Sequence, residues 1–210
     1  MSESMLEPTA SLVVVLALCM TGITHLGSGF VLYGLQAALL GCLSAWIGAD
    51  RSEPALVVIG IAVAVLKGIG VPLFLARTVT RIGVHRDVGL GIAPPLQLAC
   101  AVGSLALLVL VRPLSHEVPL SAMPAIGLLL LGMLQMLTRR LAVSQILGFL
   151  VLENGIFLYT IAQPHSMPFV VEMGALMDVL VGTMMAGMLV FQIKQSFEHI
   201  DVAQLRDLRG

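Results

Sequence analysis

The sequence predicts an all-α, polytopic integral membrane protein with about seven transmembrane helices, and three observations support this fold class. Of the 210 residues, 58% are apolar and only 11% are charged, whereas soluble domains usually carry about 25% charged residues. The mean hydropathy is +1.02. The apolar residues form continuous runs and not the alternating pattern of an outer-membrane β-barrel. These observations exclude a soluble globular domain, a disordered chain and a disulfide-linked scaffold.

Seven apolar runs have about the length of 20 residues that a helix needs to cross a bilayer. The polar segments between them are too short for a soluble domain, so one membrane domain is expected over residues 1–210. Gly27 and Ser28 predict a tight turn between the first two spans, and Pro94 and Pro95 are expected to interrupt the opening turns of the fourth. The predicted spans are Thr9–Leu26, Gly29–Ala49, Pro54–Ala76, Gly89–Val111, Pro119–Thr138, Ala142–Ala162 and Pro168–Ile193.

The distribution of basic residues predicts the orientation. With the N-terminus outside, eight Lys and Arg residues fall on the cytoplasmic side, and only Arg51 and Arg112 fall outside. The eight are Arg77, Arg81, Arg86, Arg139, Arg140, Lys194, Arg206 and Arg209. This positive-inside bias predicts an external N-terminus and, with seven spans, a cytoplasmic C-terminus. The first run is expected to stay as a helix, because Glu3 and Glu7 precede it and a signal peptide begins with basic residues.

Three ionisable side chains, Lys67, Glu153 and Asp178, fall near the middle of predicted spans. Each would cost about 2.5–3.5 kcal/mol at a helix centre if it faced lipid, so we expect all three to face protein or water. Ionisable groups in that position are typical of proton relays. Asn154 follows Glu153 and extends this polar patch.

Small residues beside Asp178 and Lys67 also predict interior positions, because they let a neighbouring helix approach closely. The first stripe comprises Gly174, Gly182 and Ala186, and the second comprises Gly60, Ala64, Gly68 and Pro72. Pro72 has no amide hydrogen, so it is expected to leave the Gly68 carbonyl unpaired and to loosen the helix one turn beyond Lys67.

These charged residues also have simpler interpretations. Lys67, Glu153 and Asp178 could form ion pairs that only fix helix packing. Glu172 lies one turn into the last span, near the outer face, where it could be a solvated carboxylate. Arginines in the loop before the sixth span could serve only to set the topology.

Other polar residues give weaker signals. His25 lies at a helix end beside a turn, so an interfacial position is expected rather than a relay. Amide side chains within spans are weak signals, because they commonly only form hydrogen bonds between helices. These amides are Gln36, Gln97 and Gln135. The cysteines form no CxxC pair, His116–Glu117 lacks the second histidine of a zinc-binding helix, and no nucleophile with a base is visible. We therefore expect no metal and no cofactor in this chain, and no catalysis by the chain alone.

Three stretches, Val65–Arg77, Gln145–Phe157 and Val171–Gly182, resemble component E of hydrogenase-4 (HyfE). The resemblance covers most of the chain, although the first two spans match only in their general character and not in a specific motif. It implies a non-catalytic membrane-arm subunit of a complex-I-like, energy-converting nickel–iron hydrogenase of the formate hydrogenlyase type, in the cytoplasmic membrane of the cell. The implied partners are antiporter-like subunits, subunits like H and J of complex I, the hydrogenase peripheral arm and the lipid bilayer, with no nucleic acid.

The last three helices, residues 119–194, are similar to subunit K of complex I and to the MrpC component of Mrp antiporters. Residues 1–118 are expected to form the four N-terminal helices, and residues 195–210 are expected to form a cytoplasmic tail. This resemblance implies roles for individual residues in proton translocation. Glu153 and Asp178 would be relay acids, Lys67 a charge partner or relay base and Glu172 an uptake or exit group, supported by Asn154, Arg139, Arg140 and His25. Here Asp178 stands where the related subunits usually have glutamate.

Three other functions remain open from the residues. The chain could belong to an Mrp-type cation/proton antiporter complex without a redox partner, because the same acids would serve there. It could be a stand-alone secondary transporter, although it lacks the internal repeat that many transporters show. It could also be a scaffold between larger antiporter-like subunits. The genes next to it would separate the first of these from the hydrogenase hypothesis.

Overall fold

The computed structural model describes residues 3–82, 86–87, 93–111, 122–163 and 182, and over these residues the fold is all-helical, as predicted. The elements are α1 (Glu3–Gly22), α2 (Leu26–Asp50), α3 (Pro54–Val65), a π-helical turn (Leu66–Gly70), α4 (Val71–Ile82), α5 (Pro94–Val111), α6 (Met123–Thr138) and α7 (Ala142–Ala162). The chain forms two compact units, Met1–Gly174 and Ala175–Gly210. All the elements above belong to the first.

Five to six of these helices are apolar and long enough to cross a membrane. Within the described ranges, five stretches meet both conditions: α1, α2, α5, α7 and the continuous span Pro54–Thr80, which joins α3, the π-helical turn and α4. We call this stretch the third span. The shorter α6 is also apolar and has 16 residues. The predicted seventh span, Pro168–Ile193, lies outside the described residues.

Helix α2 forms the centre of the described bundle. It packs against α1, the third span and α7, while α6 lies along α7 and α1 also contacts α5 and α6. Over an 18-residue apolar stretch of each span, about 56% of the residues are buried in α2 and 61% in α7, against 17% in the third span and 11% in α5. The last two therefore present mostly apolar side chains to the outside, as lipid-facing helices do.

Glycines bring α2 and α3 into direct backbone contact. Gly34, Gly41 and Gly48 recur every seven residues along α2 and face the third span. A Cβ atom added to Gly41 would lie 2.5 Å from the carbonyl oxygen of Gly60, and one added to Gly60 would lie 2.5 Å from the amide nitrogen of Ala45. The small-residue stripe predicted beside Lys67 is therefore confirmed as a helix-packing face.

Two local predictions are wrong. The turn between the first two spans lies at residues 23–25, whereas Gly27 and Ser28 are already in α2. The carbonyl of Ile23 accepts a hydrogen bond from Arg139, and that of Thr24 accepts one from the amide of Asp87. These distant donors stabilise the open turn, which explains why the local sequence did not reveal it.

The second wrong prediction concerns Pro94 and Pro95. They do not interrupt a helix, because α5 begins at Pro94. Proline is favoured in a first helical turn, where its missing amide hydrogen would have no partner within the helix.

Candidate functional site

The most prominent polar contact in the bundle is an ion pair between Lys67 and Glu153. The Nζ atom of Lys67 lies 2.9 Å from Oε1 of Glu153, and the two side chains are only 8% and 2% exposed. The pair joins the third span to α7, and both residues lie near the middle of their spans. Each residue was predicted to face the interior, and the structure brings the two together. Whether the pair acts as a relay or only fixes packing stays a prediction.

The helix around Lys67 is widened. Lys67 lies in the π-helical turn Leu66–Gly70, which ends where the amide of Val71 donates to the carbonyl of Leu66, five residues back. The predicted loosening was one turn beyond Lys67, whereas the wide turn lies around Lys67 itself and regular α-helix resumes at Val71. Pro72 contributes to it because it has no amide hydrogen for the Gly68 carbonyl. Single π-helical turns inside α-helices occur frequently at functional sites.

A chain of buried amides runs beside the ion pair. Asn154, the neighbour of Glu153, donates through Nδ2 to Oε1 of Gln36 at 3.0 Å. Gln36 in turn donates through Nε2 to the carbonyl oxygen of Val13 at 3.0 Å. These bonds connect α7, α2 and α1 in one polar line. The Oδ1 atom of Asn154 is buried and has no hydrogen-bond partner within the described part of the chain.

In the sequence Gln36 is only a weak signal, and nothing there singles out Tyr33. Tyr33 is fully buried on α2, and its spacing of three from Gln36 places both on one face of the helix. The other two amides bond across helices, as the sequence suggested for such residues. Gln97 donates to the hydroxyl of Thr138, and Gln135 donates to the carbonyl of Ala17.

A second polar cluster surrounds Arg139, directly after α6. Its Nη2 atom lies 2.9 Å from the carbonyl oxygens of both Thr21 and Ile23, so the side chain caps the C-terminal end of α1. Its Nη1 atom lies 3.7 Å from Oδ2 of Asp87, which is also buried. Burial lowers the pKa of Arg139 and Asp87 opposes that shift. An arginine nonetheless stays charged at neutral pH.

The remaining predicted supporting residues lie around this cluster. Arg140 and His25 are both exposed, and the backbone of His25 forms an isolated antiparallel bridge with Arg86. His25, Arg139 and Ser144 are among the residues that line a cavity of about 20 Å³, which has room for roughly one water molecule. Asp87 was not among the predicted site residues, although it is the single acid in the basic loop 77–88.

The connections of the bundle gather at two opposite ends. The turn after α1, the segment at Asp87 and the turn after α6 meet around Arg139. At the far ends of α2 and α7, Nη1 of Arg51 donates to the carbonyl of Gln163 at 2.7 Å. Consecutive spans therefore run in alternating directions in the described bundle.

The other predicted relay acids, Asp178 and Glu172, lie outside the described residues, so the structure places one acid and the lysine of the predicted relay. Among the described residues there is no group of three or more His, Cys, Asp or Glu side chains that could hold a metal ion.

The chain is similar to the "Uncharacterized protein Rv0085" of Mycobacterium tuberculosis, with 32% identity over 180 residues that cover 83% of this chain and 82% of that protein. No family model and no solved structure matches the sequence. The chain belongs to the same family as this mycobacterial protein.

Proposed function

We propose that this member of the Rv0085 family is a multi-pass protein of the cytoplasmic membrane with seven transmembrane helices, an external N-terminus and a cytoplasmic C-terminus. Two observations support the orientation. The positive-inside bias assigns Arg86 and Arg139 to cytoplasmic loops, and these loops meet at one end of the bundle. Arg51, assigned to the outside, lies at the other end.

Within that membrane, we propose a non-catalytic, proton-handling subunit of a complex-I-like nickel–iron hydrogenase assembly. The observation that carries the proposal is the buried Lys67–Glu153 pair. Replacing a buried ion pair with apolar residues is often neutral or stabilising, so packing alone gives little reason for two charges inside this bundle. A function that moves charge through the bundle gives a direct reason for these two charged residues. The hydrogenase partners rest on the resemblance of the sequence to hydrogenase-4 component E.

The pair has a simple chemistry for coupling proton movement to side-chain movement. With Glu153 ionised, its carboxylate holds the Lys67 ammonium. When a proton reaches Glu153, its neutral carboxyl no longer holds the Lys67 ammonium by charge, and the lysine keeps its proton and moves toward another anion. The π-helical turn supports such movement because it is a weakened point of the helix. Asp178 would be the next acid, and electron transfer elsewhere in the complex would supply the free energy.

A mild-detergent pull-down on a tag at the C-terminal tail, followed by mass spectrometry, tests the assembly. Recovery of nickel–iron hydrogenase subunits supports the proposal. Recovery of antiporter subunits alone would favour the Mrp-type alternative, and a chain purified alone would favour a stand-alone transporter.

Point variants test the relay. In membrane vesicles that contain the assembled complex, Glu153→Gln combined with Asp178→Asn is expected to abolish hydrogenase-coupled proton pumping. The matched control is Glu53→Gln, because Glu53 lies at the N-terminal end of α3 and makes no capping bond. Unchanged pumping in the double variant would overturn the relay assignment, provided that the pull-down shows the complex intact.

A further inference from the structure

A groove of about 400 Å³ lies between α1, α5 and α6, within the roughly 300–1,000 Å³ range of small-ligand sites. It is separate from the Lys67–Glu153 pair and from the Arg139 cluster. It is partly open to the surface and lined almost wholly by apolar atoms. Among the described residues, the polar side chains in its lining are Glu7 and Ser11, both on α1 and both exposed.

The groove lies in the apolar outer surface of the bundle. The N-terminal half of α1, the C-terminal half of α5 and the first turns of α6 form its walls. Exposed apolar side chains flank it on both sides, with Leu12 and Val15 on α1 and Leu107 and Leu110 on α5. Such a surface faces lipid when these helices span a membrane, so the groove is continuous with the bilayer contact.

Its shape and charge select an amphiphile. An apolar groove does not hold ordered water, and an empty one loses dispersion contacts along its walls. An alkyl chain restores those contacts. The Glu7 carboxylate lies at the terminal end of the lining on α1, where it attracts a cationic group and repels an anionic one.

We propose that this groove binds one acyl chain of a phospholipid whose headgroup ammonium pairs with Glu7. The ligand class is a zwitterionic phospholipid with a primary ammonium, such as phosphatidylethanolamine, in preference to the anionic phosphatidylglycerol. This site is independent of the proposed hydrogenase function, because it requires only that α1 and α5 face lipid.

Two variants fill the groove. A Cβ atom at Gly127 would lie 3.1 Å from Cδ2 of Leu105 and 3.8 Å from Cγ1 of Val14, so Gly127→Leu extends into the groove. Ser11→Phe fills it from an exposed position and leaves helix packing intact. The matched control is Gly103→Leu, because nothing lies within 4 Å of a Cβ atom at Gly103.

The measurement is native mass spectrometry after reconstitution into vesicles of equal phosphatidylethanolamine and phosphatidylglycerol and extraction in mild detergent. The natural chain and Gly103→Leu are expected to retain one phosphatidylethanolamine. Both filling variants are expected to retain about tenfold less phosphatidylethanolamine than the natural chain. This is the loss expected when roughly two methylene groups of the acyl chain are no longer buried. If Ser11→Phe retained the lipid as fully as the natural chain, or if the natural chain carried only detergent, the site would be disproved.

The headgroup contact has its own test. Glu7→Gln is expected to keep a bound lipid but to lose the preference for phosphatidylethanolamine over phosphatidylglycerol. Equal retention of the two lipids by the natural chain would overturn the pairing with Glu7, whatever the filling variants show.

Discussion

The Lys67–Glu153 pair shows how strongly two buried charges depend on each other. Each ion loses its hydration in an apolar interior, and the effective penalty is several kcal/mol per ion. A short contact compensates for this, and here the two charged atoms lie 2.9 Å apart. Removing one partner therefore removes the compensation and leaves the penalty of the other.

We expect Glu153→Leu to destabilise the protein strongly, because it removes the carboxylate 2.9 Å from the buried Lys67 ammonium and leaves the desolvation cost of that charge. The loss in free energy of unfolding should be about 3–5 kcal/mol, measured by thermal unfolding in detergent. Adding Lys67→Met should restore most of the stability. A single variant as stable as the natural chain would show that the pair does not hold these spans together.

The same double variant separates the two interpretations of the pair. If Lys67→Met with Glu153→Leu is stable and assembled but its proton flux is lost, the charges serve transport. If flux is unchanged, the pair only fixes helix packing, and the proton-handling function fails at this site.

Arg139 and Arg140 are adjacent in sequence but are expected to differ sharply in their effect on stability. Arg139→Ala removes the cap on the end of α1 and leaves Asp87 buried without its cation. Thermal unfolding should show a loss of about 3 kcal/mol or more. Arg140→Ala is the matched control, because Arg140 is exposed, and should change stability by no more than about 0.5 kcal/mol. Equal effects of the two variants would contradict the capping role.

The sequence predicted the interior position of Lys67 and Glu153 from the cost of facing lipid. It did not predict that they pair, because their contact depends on how α2 packs between the third span and α7. Asp87 was missed for a related reason. In sequence it is a charged residue in a loop, and only the fold brings the buried Arg139 guanidinium to it.

At the scale of elements, a helix end is predicted accurately when the residues that determine it are its neighbours in sequence, and it is misplaced when they are distant in sequence. The sixth span was predicted at Ala142–Ala162, and α7 has these same bounds, because basic and polar residues border the apolar run. The end of α1 was misplaced because donors from Arg139 and Asp87 satisfy the turn after it. Such long-range bonds leave no signal in the local sequence.

The glycine contact between α2 and α3 gives a prediction at this scale. Gly41→Ala places a Cβ atom 2.5 Å from the Gly60 carbonyl oxygen, so the helices must separate. We expect a loss of about 1–3 kcal/mol in the free energy of unfolding, measured by heat or denaturant in detergent.

Gly103→Ala is the control for this helix contact. Its Cβ atom meets nothing within 4 Å, and alanine favours a helix over glycine, so stability should rise by about 0.5–1 kcal/mol. A neutral Gly41→Ala variant would mean that the close approach of α2 and α3 is not required.

At the scale of the whole molecule, burial separates two kinds of helix. The third span and α5 are largely exposed, whereas α2 and α7 are largely enclosed. Glu153 lies on α7, and Lys67 reaches it from the third span. The charged pair is thus buried although most of the third span is exposed.

The two ends of the bundle give the last prediction, which concerns orientation. Asp50 and Arg140 are both exposed and lie at opposite ends of the bundle, Asp50 as the last residue of α2 and Arg140 shortly before α7. In a background whose three native cysteines are replaced, Asp50→Cys should react with a membrane-impermeant maleimide on intact cells. Arg140→Cys should react only after the cells are made permeable. Reversed labelling would invert the proposed orientation, because the positive-inside bias would then have assigned the wrong end to the cytoplasm. Labelling of both positions from outside would exclude the alternating spans on which the proposed proton path depends, since α7 would then begin on the side of the membrane where α2 ends, whereas the Arg51–Gln163 bond places the ends of α2 and α7 together.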